Sequence, residues 1–123
     1  MTHLLLVFIG GGLGSVTRWG LSLAFQPLLS RFPWATLAAN GLACFVLGIL
    51  LAQQLSVGIV EPRRLLLGVG FCGGFSTFST FTAETLTLWQ EGQQTLAALN
   101  IFGSLAVCFA CLLLGLKIME LGH

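Results

Sequence analysis

Charged side chains are scarce in this sequence. They make up 7% of its 123 residues, whereas about 25% of residues are charged in an average soluble domain. Hydrophobic residues account for 56%, and the mean hydropathy of +0.98 over the whole length leaves no room for a soluble domain. A formal net charge of +1 provides no basic surface for nucleic acid. We therefore interpret the chain as a membrane protein from end to end.

Groups that carry out catalysis are also few. All four acidic residues are glutamates, both histidines lie close to the chain ends, and no nucleophile, base and orienting group occur together. A glycine-rich segment begins at Gly10, but Ser15 breaks the G-x-G-x-x-G spacing of a dinucleotide site, so we interpret it as a close helix contact. Cys108 and Cys111 lie in an apolar stretch and are interpreted as buried small residues. We conclude that the chain is not an enzyme.

Four apolar stretches are long enough to cross a bilayer as helices, which requires roughly 20 mostly apolar residues each. They cover about residues 4–25, 34–55, 65–89 and 96–117, and proline or polar residues separate them. The predicted fold class is an all-α membrane protein with four transmembrane helices. Residues 1–123 form a single transmembrane domain in this interpretation.

The basic residues differ little in number between the two sides of the predicted helices, with a split of three to one, or three to two if Arg18 is counted. Arg63, Arg64 and Lys117 fall on the side of the termini, whereas Arg31 falls on the opposite side, which Arg18 in the first helix would join. The positive-inside rule therefore gives little orientation. Charged residues within spans should face a partner or a water-filled cavity, and a chain of four helices is too small to enclose a polar path comfortably. We expect self-association, which the weak orientation allows to be antiparallel.

The third predicted helix contains paired glycines followed by a run of hydroxyl residues. Gly73 and Gly74 favour an interruption of this helix in the middle of the membrane, where released carbonyls can coordinate a cation. Phe75, Phe78 and Phe81 then recur every three residues and lie close to one another around a helix. On periodicity alone, both a packing stripe and a functional surface remain open.

Three segments together resemble the Fluc or CrcB fluoride channels. Gly73–Phe81 closely matches the third-helix signature of that family, Gly11–Trp19 matches its first-helix pattern, and Thr36–Asn40 matches its asparagine motif in the second helix. Ser76 stands where threonine is commoner in the family, and Phe75 stands where an aliphatic residue is usual. The likeness covers nearly the whole chain, although the fourth helix matches loosely.

The resemblance implies an antiparallel, dual-topology homodimer in the bacterial inner membrane. Its two pores would export toxic fluoride passively and reject chloride. A sodium ion that is not transported would lie on the two-fold axis, held by the backbone carbonyls of Gly73 and Ser76. The residues of the fluoride pore would be Asn40, Phe78, Ser79, Thr80, Phe81 and Glu84.

The chemistry of these side chains is consistent with fluoride as the permeant ion. Fluoride is a strong hydrogen-bond acceptor, so a pore must replace its lost water with donors. Asn40 offers an amide NH₂, and Ser79 and Thr80 offer hydroxyls. The edges of Phe78 and Phe81 carry the positive part of the ring quadrupole. An edge-on ring can therefore contact an anion.

Several polar residues keep more than one interpretation. Arg18 either attracts anions or pairs with a carboxylate or a carbonyl. Glu84 either accepts hydrogen bonds that orient the neighbouring hydroxyls or forms a simple polar cap. In the fourth helix, the resemblance assigns no role to Asn100, Ser104 or Cys108.

Two other classes of protein remain as alternatives. A small proton-coupled multidrug exporter would also be a four-helix, dual-topology dimer, but it is expected to use a carboxylate in the first helix, where this chain has Arg18. A purely structural membrane subunit would leave the polar run of the third helix unexplained.

Overall fold

The computed structural model describes residues 1–28 and 31–122, apart from the side chain of Leu28. His123, one of the two histidines near the chain ends, lies outside these residues. In chain order the elements are α1 (Thr2–Phe25), a 3₁₀ turn (Gln26–Leu28), α2 (Trp34–Ser56), α3 (Glu61–Arg63), π1 (Arg64–Cys72), α4 (Gly73–Phe75), α5 (Phe78–Gln90) and α6 (Gln94–Leu121).

Within the described residues, four helical spans are long and apolar enough to cross a membrane. They cover Thr2–Phe25, Trp34–Ser56, Glu61–Gln90 and Gln94–Leu121. The observed spans include the four predicted stretches and extend beyond them by about one helical turn at most. The third span has the lowest mean hydropathy, 1.3 against 2.3 for the fourth, because it carries the run of hydroxyl residues. The chain is thus a multi-pass, all-helical membrane protein.

Glycines allow close contact between two pairs of spans, the first with the third and the second with the fourth. A Cβ atom on Gly14 of α1 would collide with the carbonyl oxygen of Phe71 in the third span. A Cβ on Gly48 of α2 would likewise collide with the carbonyl of Leu112 in α6. Small residues allow membrane helices to approach this closely. The interpretation of the first-helix glycines as a packing surface is confirmed.

The third span loses its helical conformation at two residues. Helix α4 ends at Phe75 and α5 begins at Phe78, and the backbone between them is extended, with φ −79° and ψ 156° at Ser76 and φ −153° and ψ 114° at Thr77. Both hydroxyls take part in the change of conformation. Ser76 Oγ donates to the Cys72 carbonyl at 2.8 Å, and Thr77 Oγ1 accepts from the Thr80 amide at 3.2 Å as the N-cap of α5.

The sequence led us to expect a change of conformation at the paired glycines, and the structure places it just after them. Gly73 is helical, with φ −63° and ψ −38°. A Cβ on Gly74 would collide with the Gly11 carbonyl, so this glycine provides close packing against α1 rather than backbone freedom. Phe75 therefore precedes the extended residues and packs in the core against Ala39 and Ala43. It does not continue the helical face of Phe78 and Phe81.

Candidate functional site

The Asn40 side chain of α2 is hydrogen-bonded to the extended backbone of Thr77. The Thr77 amide donates to Asn40 Oδ1 at 2.7 Å, and Asn40 Nδ2 donates to the Thr77 carbonyl at 3.4 Å. In a continuous helix the Thr77 amide would donate to the carbonyl of Gly73 instead. Asn40 therefore stabilises the extended conformation and releases a backbone acceptor on the preceding turn.

Arg18 of α1 contacts a second acceptor near the extended residues. Its Nε donates to the Gly74 carbonyl at 3.3 Å, which is the carbonyl that the amide of Phe78 would reach in a continuous helix. Of the two interpretations of Arg18, this contact matches the pairing with a carbonyl. The contact also brings a positive charge close to the same residues.

The two carbonyls predicted to hold sodium belong to the first residue of α4, Gly73, and to the residue that follows α4, Ser76. Ser76 has an extended backbone, and the Thr80 amide that would reach its carbonyl in a continuous helix donates to Thr77 Oγ1 instead. The Ser76 carbonyl therefore lies outside the helical hydrogen-bond ladder. No group of three or more His, Cys, Asp or Glu among the described residues could hold a metal ion. A cation at Gly73 and Ser76 would be bound by backbone oxygen, a ligand that suits a hard ion such as sodium.

A pocket of about 220 Å³ opens beside the extended residues. The Phe78 and Phe81 rings that line it have centroids 5.7 Å apart and planes inclined by 38°. Phe78 is 78% exposed in the protomer, whereas Phe75 is 4% exposed. The complete lining is Asn40, Cys44, Ser76, Thr77, Phe78, Phe81, Ser104, Leu105 and Cys108.

Ser79 and Thr80 follow the pocket on the first turn of α5 but do not line it. Ser79 Oγ lies 3.3 Å from Thr77 Oγ1, and the same Thr77 oxygen accepts from the Thr80 amide. The structure therefore gathers Asn40, Phe78 and Phe81 around one pocket and leaves the two predicted hydroxyl donors beside it.

Glu84 lies in a second pocket, of about 400 Å³, which Arg31, Thr87 and Glu91 also line. The side chain of Thr36 on α2 lies close to its carboxyl. The Oε1 atom is buried and has no partner among the described residues. The hydroxyl close to Glu84 is thus that of Thr36, whereas the hydroxyls of Thr85 and Thr87 on α5 donate to backbone carbonyls.

Three residues that the sequence left without a role belong to the same region: Ser104 and Cys108 line the first pocket, and Asn100 contacts Ser104. Asn100 of α6 is 1% exposed and joins Thr85 of α5 to Ser104, which lines the first pocket. The available signal was a single asparagine within an apolar helix, since a polar side chain buried in a span needs a partner. The sequence could not identify that partner.

These features define a class of protein. The described part of the chain is a small four-span membrane protein in which extended backbone, an amide and a guanidinium meet beside a pocket. Irregular backbone of this kind within membrane spans is typical of proteins that move ions or small solutes, because it needs a cavity or surrounding protein to satisfy it.

The chain belongs to the CrcB family. Residues 5–116 match the family described as CrcB-like protein, Camphor Resistance (CrcB). Three relatives come from the Escherichia coli strains O17:K52:H18 (UMN026), O139:H28 (E24377A) and O9:H4 (HS). Each is 48% identical over 108 residues, which cover 87% of this chain and 85% of the relative. All three are named fluoride-specific ion channel FluC.

Membership of this family confirms two predictions made from the sequence. The resemblance carried by the glycine, asparagine and phenylalanine motifs is confirmed over most of the chain. The prediction that the chain is not an enzyme is also confirmed, because the relatives are named as ion channels.

Proposed function

We propose that this protein is a fluoride-selective ion channel that lets toxic fluoride leave the cell passively. The observation that carries the proposal is the pocket in which the Asn40 amide meets the Phe78 and Phe81 rings beside extended backbone. The name of the relatives at 48% identity supports the same ion. A pocket of about 220 Å³ suits a small ion that keeps part of its hydration.

The groups around the pocket offer several weak contacts instead of one strong site. The Asn40 amide has two N–H donors, and the Thr77 carbonyl uses one of them at the long distance of 3.4 Å. The other donor and the positive edges of Phe78 and Phe81 remain for an anion. Arg18, held at the Gly74 carbonyl, adds positive charge. Such contacts replace lost water without holding the ion too tightly to release it.

The remaining predicted residues extend the proposed path towards the second pocket. Ser79 and Thr80 supply hydroxyls on the first turn of α5, and Glu84 lies further along the same helix in the pocket that contains Arg31. We assign the two hydroxyls to the ion path. We assign Glu84, which lies close to Thr36, to the polar lining where the path widens.

Exposure of the pocket supports a dimer. Phe78 is 78% exposed, and an apolar groove of about 770 Å³ runs beside Phe78 and Phe81 to Phe102. In a lone protomer, lipid would reach these rings and displace the water that a permeating ion needs. A second copy covering this face would enclose the path, and we propose the antiparallel, dual-topology homodimer in the bacterial inner membrane with one pore on each side.

Fluoride release from liposomes tests the proposed function. Purified protein in vesicles loaded with potassium fluoride should release fluoride rapidly when a potassium ionophore is added, as a fluoride electrode records. Vesicles loaded with potassium chloride should release almost no chloride. Drug exchange driven by a proton gradient would favour the exporter, and protein that moves neither ion nor drug would favour a structural subunit.

Dual topology predicts equal populations of both orientations in the cell membrane. A small tag on the C-terminus should be labelled from each side to about half of the total, because the basic residues hardly distinguish the two sides. Labelling of intact cells and of inverted membrane vesicles measures the two fractions. Labelling confined to one side would rule out the antiparallel dimer.

The proposed sodium site depends on carbonyls, so the Ser76 hydroxyl should be dispensable. Ser76→Ala should keep most of the fluoride flux, because the lost hydroxyl contacts the Cys72 carbonyl and not the ion. Replacing sodium by a large organic cation should abolish flux in both proteins. Flux is measured in liposomes prepared throughout in each salt.

Ser56→Ala is the matched control for this substitution, since the Ser56 hydroxyl makes the same kind of bond to the carbonyl four residues earlier. The two variants should carry similar flux. Undiminished flux in sodium-free medium would refute a structural sodium ion, whatever the result for Ser76→Ala.

A further inference from the structure

Four polar groups form a hydrogen-bonded chain between α6 and α5. Ser104 Oγ contacts Asn100 Oδ1 at 3.2 Å, Asn100 Nδ2 contacts Thr85 Oγ1 at 2.8 Å, and Thr85 Oγ1 contacts the Phe81 carbonyl at 2.7 Å. Asn100 is 1% exposed and Ser104 is 7% exposed. One end of this chain is the backbone of a proposed pore residue, and the other end lines the pocket.

The chemistry of the groups fixes the direction of every proton in the chain. A carbonyl can only accept, so the Thr85 hydroxyl must donate to Phe81. Thr85 Oγ1 can then only accept from Asn100, which turns the amide nitrogen towards α5 and its oxygen towards Ser104. The Ser104 hydroxyl must therefore donate to Asn100. In this arrangement Ser104 presents lone pairs to the pocket.

We propose that Asn100 is a positioning residue of the pocket. It ties α6 to the turn of α5 that carries Phe81, and it turns the Ser104 proton away from the ion. An anion could take a donor from Ser104 only by breaking the bond to Asn100 Oδ1, which would leave a buried acceptor unsatisfied. The inference rests on the proposed fluoride function. It adds the hydrogen bonds that fix the Phe81 ring and the Ser104 hydroxyl relative to each other.

Removing the Thr85 hydroxyl tests the link. Thr85→Val keeps the volume but leaves an Asn100 N–H buried without an acceptor, so the Phe81 turn loses its tie to α6. Fluoride flux per folded dimer should fall by roughly tenfold, the size expected when one buried hydrogen bond is lost from the barrier. Thr85→Ser restores the hydroxyl and should restore flux.

Thr17 of α1 provides the matched control. Its hydroxyl makes the same kind of bond, to the Leu13 carbonyl at 2.7 Å, and the residue is exposed and lines neither pocket. Thr17→Val should keep nearly full flux. Flux through Thr85→Val equal to that through this control would overturn the proposal.

A double-variant cycle separates the network from the function. If Thr85 and Ser104 act through Asn100, Thr85→Val and Ser104→Ala should shift the melting temperature of the purified protein non-additively, the second change adding little to the first. Additive shifts would refute the network. If Thr85→Val fails to fold, the melting temperatures of Ser104→Ala and Thr85→Ser still test the hydrogen bonds on the two sides of Asn100.

The proposed function can fail independently of this inference. Wild-type protein that carried no fluoride would refute the channel, while the melting cycle would still decide whether Asn100 couples the two helices. Wild-type flux with additive melting shifts, or with an active Thr85→Val variant, would refute the positioning role alone.

Discussion

Asn40→Asp should stop fluoride flux while the protein still purifies as the same oligomer. The substitution removes both N–H donors of the amide and places a negative charge beside the pocket, where an anion would be repelled. It also sets a carboxylate oxygen against the Thr77 carbonyl that now accepts from Asn40. Fluoride release from liposomes measures the loss, and size-exclusion chromatography checks the assembly.

Asn40 also stabilises the extended backbone, so the loss of flux must be separated from a loss of fold. Asn40→Asp retains an oxygen for the Thr77 amide, whereas Asn40→Ala leaves that amide unsatisfied, at a cost of about 1–3 kcal/mol. The Asp variant should therefore melt no lower than the Ala variant and still carry less fluoride. This order of stabilities and fluxes is opposite to the order expected if Asn40 were only structural.

Gln54→Glu provides the same change of amide to carboxylate at an exposed position of α2. It should keep its flux, because the new charge is exposed and lies about four helical turns from Asn40. An active Asn40→Asp variant would remove Asn40 from the ion path. Equal loss of flux in both variants would point to a general effect of charge on the helix.

The fold was predictable from the sequence because span length and apolarity are local properties. Each of the four stretches could be recognised without knowledge of the others. The packing of the glycines in α1 also follows from residue size. What residue size cannot distinguish is a glycine used for close approach from a glycine used for backbone freedom. Gly74 serves the first purpose against Gly11, and the change of conformation therefore lies after it.

The site was predictable as a set of residues but not as a set of contacts. Asn40 and Thr77 are 37 residues apart in the chain, and Arg18 and Gly74 are 56 apart. Such pairings arise from how the spans pack, which no local pattern encodes. The proximity of Glu84 to Thr36 on α2 and the hydrogen-bonded chain through Asn100 were missed for the same reason.

Phe78→Ile and Phe81→Ile should each cut fluoride flux severely, by roughly tenfold or more, while the protein still purifies in the oligomeric state of the wild type. Isoleucine keeps much of the volume but has no polarised ring edge to meet an anion. Phe75→Ile is the internal control, because Phe75 is buried against Ala39 and Ala43 and lies before the extended residues. Its flux should stay near the wild-type value. Liposome flux and melting temperature are measured for all three variants.

Because the three rings differ in burial, the packing and pore explanations predict opposite orders for the effects of Phe→Ile on stability and flux. If the rings only fill space, the most buried ring should be the most sensitive, so Phe75, at 4% exposed, should lose the most stability and flux, and Phe78, at 78%, should lose the least. If the ring edges contact fluoride, Phe78→Ile should barely change stability within a protomer and still lose flux, whereas Phe75→Ile should show the reverse. Equal flux through all three variants would return Phe78 and Phe81 to packing, and the pocket would need another group to bind the ion.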